Sequence, residues 1–255
     1  MFQLDALAHA WPVEWYDELD STSALAARRA ADGLVGPIWF AAKRQTAGRG
    51  RLGRKWESKS GNLFATSLIP VSEVSSAVAG VSLGVGLAVR DTIVELTQGQ
   101  LVPGLKWPND VRVDGAKLCG ILLESGRRGR AEDIWMSIGI GINLAFAPEI
   151  PGYPTVSING LLPSVQISPE TALSALDDAL RKRLAQFTAN GMTSVTKDWL
   201  AASDQKGALC RVKAGNSLIE GYFVGLDEYG HMCLKPLTGD VVTITAGDVE
   251  LVKEG

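Results

Sequence analysis

The dipeptide Asp114-Gly115 constrains this chain more than any other feature. It separates two short apolar runs, Val111 to Val113 and Lys117 to Glu124. Asp-Gly accepts the positive φ angles that a two-residue hairpin turn demands. A polar segment, Ser125 to Arg130, reads as the next turn, and Ile134 to Leu144 reads as a long third strand. Further strands are predicted over Ile38 to Ala42, Leu63 to Ile69, and Val102 to Trp107, where Pro108 stops the run. Helices are predicted between them. Asp20, Ser21 and Thr22 precede an alanine-rich run, Ser23 to Ala31, closed by Gly33. Val78 to Leu96 has helical periodicity with Gly80 and Gly84 on one side. Hairpins alternating with helices describe a mixed or antiparallel sheet carrying helices, an α+β domain.

The second half changes texture. Ser168-Pro169-Glu170 starts a helix with a cap, a first-turn proline and an acid at the positive dipole end. Leu173, Leu176, Leu180, Leu184 and Phe187 form its apolar stripe, Asn190-Gly191 ends it, and Val195 to Ala201 forms another helix. From Gly207 onward, short β-rich runs (Leu209 to Lys213, Ser217 to Leu226, His231 to Lys235, Val241 to Thr245, Val249 to Val252) alternate with glycine turns. Strands this short and frequent predict a small barrel. The expected division is a domain over 1–205 and a module over 206–255.

Composition excludes several classes. In 255 residues, 46% are hydrophobic and 21% charged, a globular balance that argues against disorder. The net charge of −3 argues against a general nucleic-acid binder. Cys119, Cys210 and Cys233 are an odd count without paired spacing, so neither a disulfide framework nor a zinc site is expected, and a reducing cytoplasm fits. The acidic N-terminus is no signal peptide, and the longest uncharged stretch, Val74 to Val89, is too short and too rich in serine and glycine to span a membrane.

Charge is concentrated. Lys43 to Lys59 carries a net +6, which leaves −9 for the rest of the chain. A cationic loop on an acidic protein points to a local anion site. Within it, Gly48, Gly50 and Gly53 allow close approach to a ligand, and the arginines between them can grip phosphate or carboxylate in bidentate fashion. Neither the Walker loop nor the dinucleotide fingerprint is matched. A flexible RNA-contacting segment is the competing reading.

Three other segments accompany the loop. Lys106-Trp107-Pro108-Asn109-Asp110 is either part of a site at a strand end or a buried tryptophan followed by a structural turn. Lys117, in the apolar run Lys117-Leu118-Cys119-Gly120-Ile121-Leu122, is either functional or an edge-strand guard. In Ile138-Gly139-Ile140-Gly141-Ile142-Asn143, alternation places Gly139, Gly141 and Asn143 on one face. That bare face suits either a flat ligand or a closely packed helix.

Together these four segments, in this order, resemble the biotin protein ligases (biotin–[acetyl-CoA-carboxylase] ligases). The resemblance is clear from about Asp20 to Leu144, and the C-terminal module is similar in texture to the family's SH3-like barrel. It implies a mixed sheet with helices, related to class II tRNA synthetase cores and lipoate ligases. The implied reaction joins biotin to ATP as biotinyl-5'-AMP and then transfers biotin to a lysine of a biotin carboxyl carrier domain. Arg49, Arg51 and Lys117 match the catalytic cations. Ser21, Thr22, Ser23 and Gln45 match the biotin head-group positions, joined by Arg49, Gly50, Arg51, Lys117, Gly120, Gly139 and Gly141. Arg51, Arg54, Trp56, Lys106, Asn109 and Asn143 match the nucleotide positions. Mg²⁺ is expected to enter on the ATP phosphates, with Asp110 nearby but no metal ligand assigned. Many family members carry Asn where this chain has Ser23. About twenty residues precede Ser21, too few for a helix-turn-helix unit, so a monofunctional enzyme without DNA binding is expected. Monomer and homodimer are both open. A lipoate or octanoate ligase is the nearest alternative, and a nucleic-acid-binding module the more distant one. His9 and His231 match nothing in the pattern, and Arg127, Arg128 and Arg130 are expected on a solvated turn.

Overall fold

The structure is a computed structural model and describes residues 4–71, 77–128, 133–215 and 217–252. The elements run α1 (Leu4–Leu7), β1 (Val13–Leu19), α2 (Thr22–Ala31), β2 (Ile38–Gln45), β3 (Leu63–Val71), α3 (Ala77–Leu96), β4 (Gly104–Lys106), β5 (Asp110–Val113), β6 (Ala116–Arg128), β7 (Asp133–Ile142), α4 (Ile158–Leu161), α5 (Pro169–Ala202), β8 (Leu209–Ala214), β9 (Ser217–Leu226), β10 (Met232–Pro236), β11 (Val242–Ile244) and β12 (Asp248–Leu251).

Strands β1 to β7 form one mixed sheet in the order β1-β2-β3-β7-β6-β5-β4. Only β1 and β2 are parallel, through α2; every other pair is antiparallel. Asp114 and Gly115 both have positive φ, 49° and 78°, as the primed turn between β5 and β6 requires. The expected turn at Ser125 to Arg130 is corrected: β6 continues to Arg128, which pairs with Asp133 of β7. Long antiparallel pairing between β6 and β7 holds these polar residues in strand against local preference. Arg130, and Val74 to Ser76 of the uncharged run, lie outside the described residues. The strand expected over Val102 to Trp107 is shorter, Gly104–Lys106.

Alternation divides the sheet into two faces. Trp39, Ala41, Leu63, Ala65, Ile138, Ile140 and Ile142 share a core with α3 and α5. Phe40 and Leu68 pack with Ala26 and Ala30 of α2, so α2 covers the opposite face. The α5 stripe predicted from sequence is buried throughout, and Ser168 caps the helix by accepting from the Thr171 N–H. The run is broken at Gly191 (φ 67°, ψ −166°), a conformation open essentially to glycine alone. Glycine 80 serves packing: a Cβ there would lie 2.9 Å from the Phe187 ring.

Strands β8 to β12 form a second, antiparallel sheet in the order β11-β10-β9-β8-β12, consistent with an SH3-like module. Its core residues Cys210, Val212, Phe223 and Leu234 are continuous with the main core. The Trp107 indole N–H donates to the Gly230 carbonyl at 3.2 Å, so the strand-end pentapeptide also ties the main sheet to the second module, and Arg112 pairs with Asp204, between α5 and β8, at 2.5 Å.

One buried carboxylate crosses the core. Asp177 of α5 accepts from the Trp39 indole at 2.8 Å and pairs with Arg181 at 2.9 Å. Asp177→Ala leaves an indole N–H and a largely buried guanidinium without that partner, and is expected to destabilise the fold by about 3 kcal/mol. Urea unfolding checks this; a loss under about 1 kcal/mol would show that the pair is dispensable.

Candidate active site

A cavity of about 410 Å³ opens on the α2 face of the main sheet. All sixteen sequence-predicted site residues but one line it; the exception is Asn143.

Its floor is set by strand register. Gly141 of β7 stands opposite Gly120 of β6 and Phe64 of β3, and Gly139 stands opposite Leu122 and Thr66. The indole of Trp56 lies on the Gly120–Gly141 step. A Cβ on Gly141 would sit 2.6 Å from the indole, and one on Gly120 2.8 Å. At Gly141 the bare face therefore receives a flat ring supplied by the chain itself. Trp56 Nε1 is buried with no hydrogen-bond partner among the described residues.

At one end, short polar side chains form a relay. The Thr66 hydroxyl donates to the Thr22 hydroxyl at 2.8 Å, and Thr22 donates through both its N–H (2.8 Å) and its hydroxyl (3.2 Å) to Gln45 Oε1. Gln45 Nε2 donates to Ser58 Oγ at 2.8 Å, which donates to the Trp56 carbonyl. Ser21 and Ser23 meet through their hydroxyls at 3.0 Å. Donors and acceptors thus alternate along this wall, so it can present both to a polar ligand.

At the other end lies the charge. Lys106 and Asp110 face each other across the β4–β5 pair. Between β5 and β6 the register slips by one: Val111 pairs with Cys119, but Arg112 pairs with Lys117. This bulge turns Lys117 onto the face of Asp110, where its Nζ lies 2.6 Å from Asp110 Oδ1. Strand β6 is interior to the sheet, so the edge-guard reading of Lys117 is overturned. Lys117 also stands 5.3 Å from the Trp56 ring centroid. Tyr153 donates to Asp110 Oδ2 at 2.5 Å. Burial pushes the Asp110 carboxyl up, but the Lys117 charge, the bonds from Lys117 and Tyr153, and Lys106 outweigh it and hold it below the usual carboxylate range. Burial likewise pushes Lys106 down, partly offset by Asp110.

The glycine-arginine loop closes over this floor through Trp56 N–H to Gly48 carbonyl (2.9 Å) and Gly50 N–H to Arg54 carbonyl (2.8 Å). Five of its seven cations are matched one at a time: Lys43 with Asp17, Arg44 with Glu18, Arg49 with Glu124, Arg54 with Asp248, and Lys59 with Glu57 of the same segment. Arg51 instead donates to a neutral partner, Asn109 Oδ1, at 2.9 Å. It is the cavity-lining guanidinium with no ion pair among the described residues.

The overall arrangement matches known proteins. The profile of the Biotin/lipoate A/B protein ligase family fits residues 19–143. A biotin–[acetyl-CoA-carboxylase] ligase of Paracoccus denitrificans is 35% identical over 235 residues, covering 90% of this chain and 96% of its own. One of Mycobacterium tuberculosis is 33% identical, covering 90% and 85%. The chain belongs to the biotin protein ligases. The biotin protein ligase of Aquifex aeolicus, solved in complex with biotin and ATP, superposes with a TM-score of 0.79 at 27% identity over 95% of this chain and 99% of that one. The expected catalytic fold, a mixed sheet with helices, is the fold of the family.

Within this ligase fold, Asn143 has a bracing position. It is buried, with its side chain amide donating to the Val156 carbonyl at 3.1 Å and its N–H to Leu118. Several lining residues were absent from the expectations: Thr66 and Phe64, Ile150 to Tyr153, and Asp248 to Glu250 from the C-terminal module. None carries a local signal, because each reaches the cavity only through register or long-range packing. Among the described residues no three His, Cys, Asp or Glu side chains cluster as a metal site, and Asp110 is already engaged by Lys117 and Tyr153. The donor set does not fit a protein-held Mg²⁺.

The folded-state depression of Asp110 has a fixed sign. Its stabilisation is fully present above the ordinary carboxylate range near pH 4 and is lost as pH falls through the lowered folded value. The stability advantage of the wild type over Asp110→Asn is therefore expected to be largest at neutral pH and to shrink below about pH 4. Urea unfolding at pH 7 and pH 3 measures it; a gap independent of pH would contradict the assignment.

Proposed function

We propose that the chain activates biotin with ATP and transfers it to a lysine of a biotin carboxyl carrier domain, as in acetyl-CoA carboxylase. The observation that carries this reading is the convergence of Arg51, Lys106 and Lys117 on a cavity whose other end is lined by Ser21, Thr22, Ser23 and Gln45. A biotin carboxylate oxygen attacks the α-phosphorus of ATP, and the bond to the bridging oxygen breaks to release pyrophosphate. Two anions must meet in this step, so cations fixed around them lower the barrier. Arg and Lys offer no acceptor in their charged form, and Arg49, Arg51 and Lys117 act by charge and orientation rather than as bases. The hydroxyl and amide wall takes the ureido ring, and Trp56 with Arg54, Lys106 and Asn109 takes the nucleotide. The acceptor amine then attacks the acyl carbon, and AMP leaves.

The division at 205/206 belongs to this proposal: 1–205 holds the reaction and 206–255 supplies the Asp248 to Glu250 wall. Three free thiols support a cytoplasmic setting, and among the described residues no helix is long and apolar enough to cross a membrane. Mg²⁺ is proposed only as a companion of ATP, carried on its phosphates.

ATP–pyrophosphate exchange with biotin, with lipoate or with no acid tests the reading. Exchange with biotin alone is expected. Exchange with lipoate alone would move the chain to the lipoate branch of the family. Lys117→Ala and Arg51→Ala are each expected to reduce exchange by about 100-fold or more without unfolding the protein, the lysine variant being the less stable of the two because Asp110 loses its ion-pair partner; wild-type rates in both would remove their roles.

A further inference from the structure

Tyr153 belongs to none of the motifs above, yet it meets Lys106, Asp110 and Lys117 at the cationic end of the cavity. Its hydroxyl donates to Asp110 Oδ2 at 2.5 Å and accepts from Lys106 Nζ at 3.3 Å. The Lys106 and Lys117 ammoniums stand 5.2 and 5.7 Å from its ring centroid. The other Asp110 oxygen holds Lys117. The direction of the phenol proton follows from chemistry. An ammonium only donates, so the phenol oxygen must accept from Lys106, and its single O–H is left for Asp110.

The segment is strapped to the sheet beside the residues it serves. The Lys117 N–H donates to the Pro154 carbonyl at 2.8 Å, and the Val156 N–H donates to the Lys117 carbonyl at 3.0 Å. We propose that Tyr153 is a positioning residue for adenylation: its hydroxyl locks one oxygen of Asp110, so that the other holds Lys117, while its oxygen and ring face hold Lys106. The proposal rests on the ligase reading. One carboxylate cannot orient two mutually repelling ammoniums by itself. A phenol adds an acceptor and a negative ring face at the point where they converge.

A phenol that merely filled space could be replaced by phenylalanine, which keeps the ring and the volume. The test is biotin-dependent ATP–pyrophosphate exchange by the full chain, comparing wild type, Tyr153→Phe, Asp110→Asn and the double variant. Tyr153→Phe is expected to lower kcat about tenfold, the size of one lost orienting hydrogen bond, with the KM for biotin close to wild type and the protein still folded at the assay temperature. The acid limb of its kcat profile moves to higher pH, because Asp110 loses a donor that favours its charged form. The groups facing Asp110 are Lys117, Lys106 and Tyr153; Arg112 and Asp204 act on Lys106, and Arg54 on Tyr153. In the Asp110→Asn background the tyrosine substitution is expected to cost less than in the wild type, because of its two polar contacts only the one to Lys106 remains to be lost. A Tyr153→Phe enzyme with wild-type kcat and acid limb, or losses that simply add in the double variant, would overturn the role. Wild-type protein that exchanges with no biotin would instead remove the ligase reading and this role together.

Discussion

A single buried carboxylate, Asp110, makes the rest of the site tenable. Two lysines stand in a half-buried cavity, and burial disfavours every unpaired charge there. The Asp110 oxygens are divided between Lys117 and Tyr153. That division lets a cationic wall exist in the folded protein before any anionic substrate offsets it. The same solution recurs around the loop, where Arg49 and Arg54 each carry a carboxylate from another element. Incoming phosphate and carboxylate groups therefore compete with resident acids for charges that are already in place, and electrostatic preorganisation does not require an unstable free cavity.

The glycine-faced strand is the second constraint. Ile138, Ile140 and Ile142 bury one face against α3 and α5, while Gly139 and Gly141 leave the other bare. A side chain at Gly141 would push the indole of Trp56 off the sheet, since its Cβ would lie 2.6 Å from the ring. The hydroxyl and amide relay from Thr66 to Trp56 then couples the polar end of the cavity to the residue lying on its floor.

Much of this was legible in the chain. The Asp114-Gly115 hairpin, the Ser168 cap, the α5 stripe and the break at Gly191 all depend on local geometry and periodicity, and all are present. The predicted site residues converge because they occupy the start of α2, one face of the sheet and the loop that crosses it. The exception, Asn143, sits at the end of the same strand but braces the backbone beneath the floor. The supposed turn at Ser125 was misplaced because polar residues hold strand geometry when a partner strand supplies the hydrogen bonds.

The sequence by itself determined which residues alternate, where turns and caps fall, and that cations and glycines gather in a few segments, because these follow from local backbone preference and composition. Tertiary structure decided which way the charges point. Strict alternation would set Lys117 and Gly120 on opposite faces, and only a one-residue slip against β5 brings Lys117 to Asp110. Tyr153 arrives from a segment with no periodic signal of its own, and Asp248 from the head of a strand whose run is legible but whose place beside the cavity is not. Their places are fixed by hydrogen bonds and packing between distant parts of the chain, which no local pattern encodes.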